Sequence, residues 1–219
     1  MKLINVLLGQ AVRLGKISGP DGGSVYGLNL SKACEARYGF LQGPRVLADF
    51  DLSKGVTFLH GYFQNQYVID RLQVYENGVL AEARLDTDVC EAFLDDLIEW
   101  VVSSGGIKFE RESSAPRIYL SQLEMQSDVN LDECFARIAP MGRRIADVLR
   151  SYNQMTPDWA MSGLSFGTVG SGDAVSFKFE RREGSSAPPN AFFASARVRT
   201  KDHVHILDDM ERMLTTSVS

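Results

Sequence analysis

The stretch Ala81–Val101 changes its hydrophobic period part-way along, and that change constrains the fold more than any other feature of the chain. Read as a strand, Val79, Ala81, Ala83 and Leu85 share one face, and Leu80, Glu82 and Arg84 share the other. From Val89 onward the apolar residues Phe93, Leu94, Leu97, Trp100 and Val101 recur three and four apart, as on one stripe of a helix. Thr87 stands at the change of period, where its hydroxyl can accept a hydrogen bond from an amide of the first helical turn. Asp88 and Glu91 follow where the helix dipole favours negative charge, and Gly105 can supply a left-handed stop. The segment predicts strand, cap, helix.

Displaced by 113 positions (194 minus 81), the same pattern returns without a gap from Ala194 to Leu214. Seven of the 21 aligned pairs are identical: Ala81/Ala194, Ala83/Ala196, Arg84/Arg197, Thr87/Thr200, Leu94/Leu207, Asp95/Asp208 and Asp96/Asp209. The five stripe positions stay apolar, and the paired alanines would let a helix lie close on a sheet. A second echo links Lys108-Phe109-Glu110-Arg111 and Ser113-Ser114-Ala115-Pro116 to Lys178-Phe179-Glu180-Arg181 and Ser185-Ser186-Ala187-Pro188. Together these predict three hairpin-plus-helix (ββα) units, near Tyr67 to Val101, Ile107 to Tyr152 and Ala174 to Leu214. The middle unit fits less well, since its stripe of Leu131, Cys134, Phe135 and Ile138 is out of step with the others.

Between and around these units the chain reads as short elements. Leu3 to Leu14 is ambiguous between strand and helix, and Gly19-Pro20-Asp21-Gly22-Gly23 is a turn. Ser31 to Tyr38 reads as a helix stopped at Gly39. Val46 to Asp51, Val56 to Phe63, Tyr67 to Tyr75 and Val79 to Leu85 read as strands, the last two joined by a tight Asn77-Gly78 turn. Leu131 to Tyr152 is helical, with Pro140 and Gly142 expected to kink or split it. Trp159 to Val169 and Ala174 to Arg182 form a hairpin around Gly170-Ser171-Gly172-Asp173, and Glu183 to Asn190 is a polar loop. Turns this short disfavour parallel crossovers, so the expected class is α+β, antiparallel sheets with helices on one face. Ser103-Ser104-Gly105-Gly106 divides a unit at 1–104 from one at 105–219, although the two could form one continuous domain.

Net charge −5 argues against a duplex-nucleic-acid binder, which needs a concentrated basic surface, and makes a single-strand binder using sheet aromatics less favourable. Cys34, Cys90 and Cys134 are odd in number and widely spaced, which suits reduced thiols in a cytoplasmic protein. No apolar run approaches the length of a membrane span.

Candidate chemistry is sparse. Asp49 and Asp51, on one face of the expected strand, could share Mg²⁺, with Lys54 or His60 nearby to meet a phosphate; the plainer reading is a charged strand edge. His203 and His205 with Asp208 and Asp209 suggest zinc, but on a helix the two histidines diverge, and the aligned Val89 to Asp96 has none. Asp88, Glu91, Asp95 and Glu99 form an acidic stripe, either a solvated face or a docking surface for a basic partner. Gly167 to Gly172 lacks the Lys-Ser/Thr of a phosphate loop, and no nucleophile elbow occurs. With no cofactor motif, and Tyr62, Tyr75 and Phe193 on outward faces, the leading expectation is a non-catalytic protein-binding or assembly subunit, a homo-oligomer. A Mg²⁺-dependent enzyme acting on a phosphate ester or nucleotide through Asp49 and Asp51 is the alternative.

Overall fold

Side chains along the first apolar run alternate with a period of two, burying Gly9, Ala11 and Arg13, so the run is a strand, β1 (Lys2–Leu14). In this computed structural model, residues 1–19, 27–104, 106–111, 115–136, 138–152, 159–169, 176–182 and 190–216 are described. After β1 come β2 (Lys16–Ser18), α1 (Gly27–Tyr38), a 3-10 turn (Leu47–Phe50), β3 (Val56–Phe63), β4 (Tyr67–Tyr75), β5 (Gly78–Ala83) and α2 (Thr87–Ser104). They are followed by β6 (Lys108–Glu110), β7 (Ile118–Gln126), α3 (Leu131–Cys134), α4 (Ala139–Ser151), β8 (Gly163–Gly167), β9 (Ser176–Arg181), β10 (Ala191–Ala196) and α5 (Thr200–Thr216). The class is α+β, a large antiparallel sheet with helices packed against it. The turns expected at Pro20 to Gly23 and Gly170 to Asp173, most of the Glu183 to Asn190 loop, and Gly105 lie outside the described residues.

Two compact units emerge, Val6–Gln122 with Arg197–Lys201, and Met1–Asn5 with Leu123–Ala196 and Asp202–Ser219. Segments from both sides of the Ser103 to Gly106 stretch take part in each.

The larger unit is built on strands in the order β3-β4-β5-β1, with β7 beside β1. Ala83 pairs with Gly9 and Ala81 with Ala11, a small-residue floor on which α2 lies so close that the Cys90 thiol is 3.3 Å from the Gly9 carbonyl oxygen. A Cβ on Gly9 would come 2.1 Å from the Leu85 carbonyl oxygen, which is why glycine stands there. Phe93, Leu94 and Leu97 bury the α2 stripe against Ile69, Leu72 and Phe63, and α1 adds Cys34 and Tyr38. In the smaller unit β8, β9 and β10 form an antiparallel meander, with Phe179 and Phe192 stacked at 4.5 Å and Leu207 of α5 buried.

Several local expectations are corrected. Val46 to Asp51 is not a strand: the Asp49 carboxylate accepts hydrogen bonds from the Arg45 and Val46 amides, and that local closure competes with extended pairing. Neither Asn77 nor Gly78 takes positive φ. That geometry belongs to Gln64 (φ 52) and Asn65 (φ 57) in the β3–β4 turn, and Gly78 is needed because a Cβ would meet the Arg13 carbonyl oxygen at 2.6 Å. The middle hairpin does not form as read, since β6 pairs with β2 in a separate two-stranded sheet, Ile17 opposite Phe109. Leu131 to Tyr152 is split into α3 and α4, with Pro140 in the first turn of α4, where its missing N–H costs least. Gly39, at φ +62, stops α1 as expected.

Thr87 does not cap its own helix. Asp86 does, its carboxylate accepting from the Asp88 amide at 3.0 Å. The Thr87 hydroxyl accepts from the Thr200 amide at 3.0 Å, and the Thr200 hydroxyl accepts from the Thr87 amide at 3.1 Å, so each threonine satisfies the first-turn donor of the other. Both are buried, where an unpaired amide is expensive. Thr87→Val and Thr200→Val should each lower unfolding free energy by about 1–2 kcal/mol, measured in urea.

Candidate functional site

Charge converges on Glu91, in the second turn of α2. Its carboxylate accepts hydrogen bonds from Arg13 (2.6 Å), Arg117 (3.0 Å) and the Tyr119 hydroxyl (2.9 Å), and Arg199 lies 2.6 Å from its second oxygen. Arg199 also donates to the Tyr119 hydroxyl at 2.8 Å and crosses that ring. Burial alone would raise the Glu91 carboxyl, but Tyr119 and the arginines hold it below the usual carboxylate range. A carboxylate held ionised in this way is a poor proton acceptor at neutral pH.

The remaining acidic stripe is largely engaged by the protein's own cations. Asp88 pairs with Arg199 and Lys201, and Asp95 accepts from Arg13, while Glu99 is exposed. Beside the stripe, Asp96 accepts from Arg37 and the Tyr38 hydroxyl. Sequence reasoning missed Arg13, Arg117, Tyr119 and Arg199. The one available signal was Arg13 itself, a charge in register with Gly9 and Ala11 on the buried face of β1.

Asp49 and Asp51 are each turned to local donors. Asp51 accepts from the Ser53 amide (3.0 Å) and hydroxyl (2.6 Å) and pairs with Lys54 at 3.1 Å; the Ser53 hydroxyl and Lys54 bring its carboxyl down to about 2. Asp70 accepts from the Arg84 amide. His203 is buried edge-on against Phe177, with ring centroids 5.5 Å apart, whereas His205 is exposed two residues on. Asp209 pairs with Arg212. Among the described residues no group of three or more His, Cys, Asp or Glu side chains is placed to hold a metal ion. Of the aromatics expected on outward faces, Tyr62 is exposed and Tyr75 and Phe193 are half-buried.

His203 gives the folded state a pH dependence. Burial lowers the imidazole from 6.5 to about 4. As pH falls through that window the unfolded chain binds a proton that the folded chain refuses, so stability decreases, by up to about 3 kcal/mol once pH reaches the folded value. Urea midpoints at pH 7 and near pH 4.5 should differ less in His203→Gln than in the parent.

The larger unit holds a partly open pocket of about 140 Å³ between α1, α2, the sheet and the β2–β6 pair, walled by side chains such as Leu30, Phe58, Leu72 and Ile98. Ser31 and Cys34 are the polar side chains among the described residues lining it, and burial pushes the Cys34 thiol up to about 12, which keeps it protonated and unreactive. Such a wall can accommodate a small hydrocarbon group but offers little to orient a polar substrate.

In the smaller unit, α4 carries its apolar residues outward. Ile138, Met141, Ile145, Val148 and Tyr152 are 39–65% exposed. Ala146 is buried, and Gly142 faces the protein so closely that a Cβ would meet the Trp159 carbonyl oxygen at 2.1 Å. Small residues thus face in and large apolar ones face solvent, the reverse of an ordinary surface helix. Sequence reasoning located the helix but read its stripe only as a continuation of the Leu131 pattern.

No protein-family model, curated protein or solved structure matches the chain. No described helix is long and apolar enough to cross a membrane.

Proposed function

We propose that this chain is a non-catalytic protein-binding or assembly subunit, built on duplicated hairpin-helix units. The observation that carries the reading is the outward stripe of α4, a contiguous apolar row of the kind that marks interaction sites. The acidic row of Asp88, Glu91, Asp95 and Glu99 is a weaker docking face, because Asp88, Glu91 and Asp95 are already matched by Arg13, Arg199 and Lys201. Duplication is supported by the 113-residue offset that aligns β5-α2 with β10-α5 and also pairs Thr87 with Thr200. Free, buried Cys34 and Cys90 suit a reducing compartment such as the cytoplasm.

The Mg²⁺-dependent alternative needs Asp49 and Asp51 to face one cation, and nothing in their geometry favours it. Native mass spectrometry of the purified chain, before and after chelation, tests both readings. The proposal expects oligomers or a captured protein partner insensitive to chelator. A partnerless monomer carrying one chelatable metal would reverse the ranking.

A further inference from the structure

We infer that the apolar pocket of the larger unit is a binding site for a compact, uncharged hydrocarbon group of benzene size. Its volume of about 140 Å³ is close to that of an apolar cavity, about 150 Å³, which stays dry and admits benzene. The floor is fully built: Val56, Phe58, Leu72 and Val79 from the sheet and Leu97 from α2 are all buried. The rim is half-buried and equally apolar, carrying Ile17, Phe50, Leu52, Val74, Ile98 and Phe109. Water is a poor occupant, because a buried water needs two to four polar partners and Ser31 and Cys34 are the polar side chains of the described wall. A hydrocarbon placed there restores dispersion contacts that the lining otherwise forgoes.

The surroundings select against charge. β2 and β6 set Ile17 opposite Phe109, both lining the pocket, and period-two alternation puts Lys16, Lys108 and Glu110 on the other side of that pair, where all three are exposed. Next to Phe50 and Leu52, the Asp49 and Asp51 carboxylates are taken by the Arg45 and Val46 amides, Ser53 and Lys54. On α2, Leu97, Ile98 and Val101 line the pocket while Glu99 is exposed. No charged side chain is among the described lining residues. A carboxylate or ammonium carried inside would lose its hydration with nothing to replace it, whereas a hydrocarbon is drawn in by the apolar surface it removes from water. The pocket belongs to the larger unit and α4 to the smaller, so the inference is independent of the assembly reading.

The test is a titration of the full chain, carrying 13C-labelled Ile, Leu and Val methyl groups, with benzene, benzoate and hexyl glucoside. Benzene should shift the methyls of Val74, Val79, Leu97 and Ile98 saturably, with a Kd of about 1 mM or lower, well within what six carbons can supply. Benzoate should bind at least about 10-fold more weakly. Displacement of benzene by hexyl glucoside would name the tail of an uncharged amphiphile as the source of the group, and failure to displace would name a free hydrophobe; both support the site. Ile98→Phe, which fills the pocket, should remove the benzene shifts while leaving the urea midpoint unchanged or raised. Val74→Thr adds a hydroxyl at nearly the same shape and should weaken benzene at least about 3-fold, which keeps the test alive if Ile98→Phe fails to fold. The inference is overturned by the absence of saturable shifts at these methyls, by benzoate binding as tightly as benzene, or by benzene affinity unchanged in the folded variants. A raised midpoint in Ile98→Phe with no benzene binding by the parent also overturns it, since the pocket is then a packing fault.

Discussion

Glu91→Gln is expected to destabilise the folded chain by about 3–5 kcal/mol, although glutamine has nearly the same shape. The reason is Arg13, whose side chain is only 3% exposed and whose Nη1 is buried without a hydrogen-bond partner among the described residues. Glu91 supplies the closest charge to Arg13 and also receives Arg117, Arg199 and Tyr119. Removing that carboxylate leaves a buried guanidinium dependent on Asp95, which is largely solvated. Asp95→Asn, an exposed partner of the same arginine, should cost under about 1 kcal/mol. The double replacement Arg13→Met with Glu91→Leu should recover part of the loss, because it removes both buried charges together. Urea unfolding of the four proteins makes the comparison. A Glu91→Gln penalty no larger than that of Asp95→Asn would mean the cluster is surface decoration.

Phe93→Ala should cost about 3–5 kcal/mol. The ring is fully buried and meets Tyr38 and Phe63 edge-on at centroid distances of 5.0 and 5.7 Å, so truncation opens a hole that rigid aromatic neighbours cannot close. Ile206 occupies the aligned position of α5 yet is 41% exposed, and Met213, aligned with Trp100, is 70% exposed. Alanine at either should cost less than about 1 kcal/mol. Chemical denaturation of these three variants separates a core position from its sequence counterpart. A large effect at Ile206 would show that the apolar stripe of α5 is covered after all.

These contrasts mark how far the sequence is readable. Period-two alternation locates β3 and β4 to the residue, and the switch to three-four spacing locates α2, because each pattern arises from local geometry that burial then reinforces. The same stripe in α5 is only half buried, since an apolar spacing specifies a face but not what covers it. At Val46 to Asp51 the alternation is genuine, but two backbone amides bonded to Asp49 make a tighter local structure than a lone strand. The β2–β6 pairing joins segments of three residues each, with α1, β3, β4, β5 and α2 between them in the chain, too short to announce a partner. Thr87 reads as a cap and acts as one, but for Thr200, and no single-segment rule links residues 113 apart. Glu91 looks like part of a solvated stripe until Arg13, Arg117 and Arg199 are brought to it by folding.

The most direct test of the protein-binding account is backbone hydrogen exchange of the full chain, compared between its dilute, dissociated form and its oligomeric or partner-bound form. The account predicts slowed exchange or altered mass uptake concentrated in Ala139–Ser151, where the outward row lies. Unchanged α4 amides on association, or protection confined to another element, would contradict it.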